Sequence, residues 1–488
     1  NFGMKNQSSK SNELFIDKIF PPVSRSLYES NDSILEEESY INKIFNERAK
    51  NESIVWKRPN EFSDGSYTLF QEHIEPNDIK QGRLGNCWVL CALASMAEFP
   101  LLIQSLFTSN INNNNNNDNN NDNDKESNGI YHLKICKNGI WQNVIIDNYL
   151  PCTSDGGPVY ARSNGPELWV MLLEKAYAKL HGSYHSLSMG WTYEAMMDMT
   201  GAPCQAYQFN SPDISTSISN GTFFYKLKEM DEYGYIISAS TPGEDVFSTS
   251  EEKSDLSIGL VPGHAYSLIA VKELSNGVQL VCIRNPWGTV EWSGDWSDQS
   301  SLWTPSLKQE LGPQFSTFGD DGLFWMSFQD LIKYFFCINI CQVRLPSVHP
   351  KPWHEIRKKS YFVYDSDTKE VTTFLFKVFV NEPTLAIITL HQDDRRVIGS
   401  HSYLDIGIAV LKINNVTEEK DEITNKLKWE TVFSTGCSVE RQISCEVNLL
   451  PNYSYLIVPC TTGGKFLQQQ RSSPKKNLNI LTSQENNS

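Results

Sequence analysis

Near Gly201 the spacing of apolar residues changes, and no single regular architecture accommodates both sides of the change. Upstream, Trp88, Leu90, Leu93, Ala94 and Ala97 recur at helical intervals, with Pro100 as a stop, and Pro166 to Leu180 reads as a second amphipathic helix with proline at its start. Downstream, short runs alternate with turns: His264 to Val271 and Val278 to Ile283 flank Ser275-Asn276-Gly277. From Tyr361 to Pro459 the β-branched and aromatic runs, such as Thr372 to Val380 and Leu385 to Leu390, are spaced as in a β-sandwich. A chain of 488 residues exceeds what one apolar core organises, so two to four domains are expected in an α+β protein.

The flanks and one insertion are polar. Residues 1–50 read as an extended arm with apolar anchors at Leu14-Phe15-Ile16 and Ile19-Phe20. The Asn/Asp run over 110–124 has nothing to bury and reads as a disordered insertion; the stretch 463–488 reads as a frayed tail. Beyond the insertion, Tyr131 to Cys136 and Ile140 to Ile146 flank Asn138-Gly139, a tight hairpin signal.

Composition excludes some functions. A formal charge of −16 leaves no excess of Lys and Arg for a nucleic-acid surface. Eleven scattered cysteines lack the dense spacing of a disulfide-stapled secreted domain, which suits a reducing compartment. No basic segment precedes an apolar core at the N-terminus, and no apolar run reaches the roughly 18 residues of a membrane span, so a soluble cytoplasmic protein is expected.

The chemistry concentrates in three segments. Gln81-Gly82-Arg83-Leu84-Gly85-Asn86-Cys87-Trp88 places two glycines in a loop and a cysteine where a helix begins. Unpaired N–H groups and the positive helix end stabilise a thiolate there, and Gln81 is near enough to donate to the oxyanion formed on attack of an amide. A thiol nucleophile needs a base, and Pro262-Gly263-His264-Ala265-Tyr266 sets a histidine at the mouth of a strand. Arg284-Asn285-Pro286-Trp287-Gly288 ends the next strand, where the Asn285 amide oxygen can accept from the imidazole and Trp287 can shield that bond. Taken singly, each has a blander use: core cysteine, structural histidine, Asn-Pro turn.

Together these segments resemble the calpain family, with Gln81 to Ala92 as its cysteine motif, Gly263-His264-Ala265-Tyr266 as its histidine motif and Asn285-Pro286-Trp287-Gly288 as its asparagine motif. Trp56-Lys57-Arg58-Pro59, Leu173 to Leu180, Glu291-Trp292-Ser293-Gly294 and Phe324 to Phe328 extend the resemblance over about 14–345, and more loosely to about 460. It implies a papain-like two-lobe cysteine protease core, lobe 1 over 51–201 with Gln81 and Cys87, lobe 2 over 202–345 with His264 and Asn285, then an antiparallel β-sandwich over 350–462. It also implies calcium as cofactor, bound to each lobe and driving lobe closure. Carried over by position, the lobe 1 ligands are Asp78 and Glu167, with backbone oxygens from the loop before Asp78. Those of lobe 2 are Glu291, Asp298 and Asp321, with Leu323 standing where the family usually has a glutamate. Asn86 likewise replaces the usual aspartate before the cysteine, and Cys91 adds a second thiol one turn away.

The implied function is calcium-dependent limited proteolysis of intracellular proteins through a thiolate acyl-enzyme. The alternative is a catalytically silent scaffold or membrane-binding protein of the same fold. A thiol acyltransferase or deubiquitinating enzyme is a third use of the triad, disfavoured by the flanking motifs. Protein substrates are the implied partners, with phospholipid contact through the sandwich. There Asp393 and Asp394 read first as a solvated turn. No twelve-residue acidic loop flanked by helices follows residue 345, so no EF-hand small subunit is expected.

Overall fold

The computed structural model describes residues 14–28, 54–63, 65, 67–71, 73–108, 128–243, 258–312, 315, 319, 321–344, 353–365, 371–398, 403–414 and 429–462. The insertion at 110–124, the tail at 463–488 and the arm apart from 14–28 lie outside them. Two compact units divide between Glu355 and Ile356.

In the first unit, α1 (Cys87–Ala97) is buried at all of its eleven residues, as a helix apolar around its whole circumference must be. Around it pack α2 (Trp169–His181) and α3 (Thr192–Thr200), together with a hairpin of β1 (Ile130–Lys137) and β2 (Ile140–Asp147). Asn138 (φ 54°) and Gly139 (φ 72°) both take positive φ, so the hairpin closes through two residues, Lys137 facing Ile140. Helix α2 begins at Trp169 rather than Pro166. The intervening backbone is used elsewhere: Pro166 O accepts from Thr68 N (3.0 Å), and Leu168 N donates to Thr68 O (3.0 Å).

A second core lies on a six-stranded, fully antiparallel sheet made of β3 (Cys204–Gln208), β4 (Ile236–Ser240), β5 (Ala265–Glu273), β6 (Gln279–Arg284), β7 (Leu323–Ser327) and β8 (Cys337–Cys341). Its order is β7-β6-β5-β4-β8-β3. The region after Gly201 was expected to be β-rich, with strands separated by turns; it also holds helices Pro212–Ser219 and α4 (Thr222–Glu232). Phe223, Phe224 and Leu227, with half-buried Met230, form a one-sided stripe that α4 lays against Leu268 and Phe328. Because β5 and β6 run antiparallel with Ser267 opposite Arg284, the start of β5 lies beside the end of β6. That register places His264 next to Asn285.

In the second unit, β9 (Phe376–Val378), β10 (Thr384–His391), β11 (Ile406–Asn414), β12 (Trp429–Ser438), β13 (Gln442–Leu449) and β14 (Tyr453–Cys460) pair antiparallel. The four-stranded sheet β9-β14-β11-β12 and the ribbon β10-β13 share a core of Ile408, Val410, Cys445, Val447, Leu449 and Tyr455. Among the described residues no helix is long and apolar enough to cross a membrane.

Candidate active site

The loop before α1 admits little variation. A Cβ on Gly82 would stand 2.0 Å from Tyr160 O and 2.2 Å from Val159 O, so only glycine lets Arg83 N reach Val159 O at 3.0 Å. Asn86 precedes the helix and Cys87 is its first residue, 7% exposed, with its thiol at the end where helix N–H groups lack intrahelical acceptors. Cys87 packs with Cys91 and Ala265, the residue after His264. Farther along, the Ser95 hydroxyl donates to Ser267 Oγ at 2.9 Å, holding α1 against β5.

His264 is 1% exposed. Its Nε2 bonds Asn285 Oδ1 at 2.9 Å, while Nδ1 is enclosed and takes no hydrogen bond from the protein. Asn285 is in turn fixed from behind, donating through Nδ2 to Thr289 O (2.9 Å) and Val290 O (3.0 Å). The main chain of His264 is pinned by exchange with Thr241: Thr241 N donates to His264 O at 3.0 Å and His264 N to Thr241 Oγ1 at 3.0 Å. Burial pushes the imidazole down to about 4, only partly offset by the Asn285 bond, so at neutral pH the ring is neutral and able to accept a proton.

The Trp287 ring lies 4.9 Å from that of His264, covering it as its position in sequence implied. Its Nε1 also donates to Gln81 Oε1 at 2.9 Å, a bond the sequence did not announce. Gln81 Nε2 donates one hydrogen to Leu84 O at 2.9 Å and has a second to give. Gln81 and Cys87 from one segment, and His264 and Asn285 from a part of the chain far along the sequence, thus converge on one place between α1 and the β5–β6 edge.

The acids assigned to cation binding also assemble in two sets. Glu167 is 1% exposed; its Oε2 accepts from Gln71 N at 3.3 Å and its Oε1 is buried with no partner. Burial and then the Asp78 charge push the Glu167 carboxyl up to about 7, and burial likewise raises Asp78, whose Oδ2 accepts from Glu75 N at 2.8 Å. In the second set Glu291 Oε1 accepts from Asp321 N (2.9 Å) and Gly322 N (2.7 Å), and Asp321 Oδ1 from Leu323 N (2.9 Å). Asp298 Oδ2 is buried without a partner, and burial followed by the charges of Glu291 and Asp321 pushes that carboxyl up to about 6. Grouped carboxylates, among which Glu167 Oε1 and Asp298 Oδ2 are buried and unsatisfied, fit a hard divalent cation. The Leu323 side chain turns to the apolar cluster of Trp303 and Trp325 and adds no oxygen.

Asp394 corrects the expectation of a solvated turn. It is fully buried, accepts from Arg396 N at 3.0 Å and pairs with Arg441 at 3.7 Å, whereas Asp393 is exposed. Glu174 was read only as one letter of a motif; a charged residue amid Leu172, Leu173 and Ala176 on a helix whose flank is buried was the signal that it has a polar partner inside.

The calpain family cysteine protease profile matches residues 15–342. The chain is 33% identical over 482 residues to the calpain-type cysteine protease ADL1 of Oryza sativa subsp. japonica, which covers 93% of this chain but 20% of that protein. It is 28% identical over 482 residues to calpain-5 of Mus musculus (92% of this chain, 70% of that one) and 34% identical over 343 residues to the calpain-1 catalytic subunit of Sus scrofa (68% and 42%). The chain therefore spans about a fifth of the length of the plant relatives it matches. With a family match over two thirds of its length and the three motifs brought together in space, this chain belongs to the calpain family of cysteine proteases.

Proposed function

We propose that the chain is a calcium-switched cysteine endopeptidase that makes limited cuts in proteins. The observation that carries the reading is the state of His264: Nε2 is held by Asn285, and Nδ1 is enclosed and unused beside the helix terminus that bears Cys87. In the reaction, Cys87 Sγ gives its proton to His264 Nδ1 and attacks the peptide carbonyl carbon. The oxyanion accepts from Cys87 N–H and the spare Gln81 N–H. His264 then returns the proton to the leaving amine nitrogen as the C–N bond breaks. Water, giving a proton to the same ring, attacks the thioester carbon; as the C–S bond breaks the Cys87 sulfur takes that proton back from His264, and the acid product departs.

Asp78 with Glu167, and Glu291 with Asp298 and Asp321, are the residues that would hold calcium, which supplies positive charge to carboxylates otherwise opposed. In this reading the two apolar cores act as papain-like lobes whose closure joins Gln81 and Cys87 to His264 and Asn285. Alkylation by iodoacetamide at pH 6 tests the nucleophile directly. Cys87 reacts ahead of the exposed Cys437, and His264→Ala abolishes that lead; equal reactivity of the two thiols would overturn the assignment.

A further inference from the structure

Glu174, on α2, is 2% exposed and belongs to none of the sites above. Its Oε1 accepts from Asn86 Nδ2 at 2.7 Å, and both its oxygens share the Ala161 N–H at 3.1 Å. These partners come from the two segments that frame the nucleophile: Asn86 is the residue before Cys87, and Ala161 follows the Val159 and Tyr160 carbonyls that crowd Gly82. Asn86 has φ −111° and ψ 30°, outside the well-populated helical and extended regions. A backbone there persists only where its surroundings fix it. The ψ of Asn86 sets the direction of the Cys87 N–H, an oxyanion donor.

We propose that Glu174 is a positioning residue for peptide cleavage, acting through Asn86 to aim the Cys87 N–H and thiol. The inference rests on the reading of Cys87 as nucleophile. Glu174 serves as a neutral acid. The groups facing it are the Asn86 amide, the Ala161 N–H and the enclosed phenols of Tyr160 and Tyr184, both kept neutral by burial; no cation is among the groups that shift it. Burial pushes the carboxyl up to about 8, against the pull of the Asn86 and Ala161 bonds. Ionised, it sets a negative charge behind the helix terminus where the oxyanion develops, and so opposes the reaction.

The test compares Glu174→Gln and Glu174→Ala in the full chain, using kcat and KM on a fluorogenic peptide with calcium and the alkylation rate of Cys87, which needs no turnover. Glu174→Ala lowers kcat and slows alkylation about tenfold or more with KM little changed, while Glu174→Gln stays near wild type at pH 6.5. Between pH 6.5 and 9 the ratio of Glu174→Gln to wild-type kcat/KM rises about threefold or more, because the amide cannot ionise. A flat ratio, or a glutamine variant as impaired as the alanine one, overturns the inference, and the glutamine comparison decides it even where the alanine variant fails to fold. Failure of the protease reading has a different signature: no wild-type hydrolysis although Cys87 is alkylated at a rate that still depends on Glu174.

Discussion

Replacing Asn285 by alanine removes the Oδ1 acceptor from His264 Nε2 (2.9 Å) and both donors from the Thr289 and Val290 carbonyls. The first loss bears on catalysis. A hydrogen bond to a ring that becomes cationic as it takes the Cys87 proton is worth ~1.5–3 kcal/mol, and at ~1.4 kcal/mol per tenfold kcat/KM falls about 10- to 150-fold. Asn285 is wholly enclosed and behind His264, out of reach of substrate, so the loss lies in kcat while KM holds. The second loss bears on stability, since the Thr289 and Val290 carbonyls of a partly exposed loop lose their donors, each such hydrogen bond being worth ~0.5–1.5 kcal/mol. Steady-state kinetics on a fluorogenic peptide, run beside a thermal melt, separates the two. A folded Asn285→Ala protein retaining more than about a third of wild-type kcat/KM would refute the role given to this amide.

Five further outcomes are expected. Glu167→Gln raises the calcium concentration for half-maximal activity about tenfold or more, measured by calcium titration of peptide cleavage. For wild type that concentration rises as pH falls from 7.5 to 6, because protons compete for carboxyls lifted to about 7 at Glu167 and about 6 at Asp298. Without calcium, the raised Glu167 carboxyl stabilises the fold fully below the ordinary carboxylate range and loses that contribution as pH climbs through about 7, so the melting temperature of wild type falls relative to Glu167→Gln over that interval. Trp287→Phe keeps the ring over His264 but deletes the bond to Gln81, lowering kcat about two- to tenfold while iodoacetamide alkylation of Cys87 is unchanged. Refolding in oxidised glutathione joins Cys204 to Cys341: they are direct partners across β3 and β8, and the bonds Gln342 N to Pro203 O and Phe209 N to Phe336 O put them at a non-hydrogen-bonded site, where side chains approach most closely. Peptide mapping that finds both thiols free would contradict that register.

The parts legible in sequence were those with local punctuation. Asn138-Gly139 dictates its hairpin because both residues tolerate positive φ, and the glycines and prolines around Cys87, His264 and Asn285 mark where elements begin and end. The candidate site residues stood out in the sequence because each sits at or beside such a mark. Helix α4 was missed because a stripe of Phe223, Phe224 and Leu227 amid Lys, Glu and Asp is short, and its weight comes only from the sheet beneath it. The start of α2 was misplaced because Pro166 to Leu168 pair with Thr68, nearly a hundred residues away in sequence, a demand that no local pattern carries. Which groups Glu174 meets, and the Trp287–Gln81 bond, were invisible for the same reason, since each contact exists only when distant segments meet. Asp394 went wrong in the other direction: adjacent acids read as solvated, but Arg441 neutralises one inside the fold.

Casein cleavage by the purified protein, with calcium or with chelator and beside Cys87→Ala, tests the central claim most directly. The account predicts fragments only when calcium and Cys87 are both present. Cleavage that survives chelation would contradict the calcium assignments at Asp78, Glu167, Glu291, Asp298 and Asp321, and cleavage that survives Cys87→Ala, or its absence from folded wild-type protein at every calcium concentration, would contradict the protease itself.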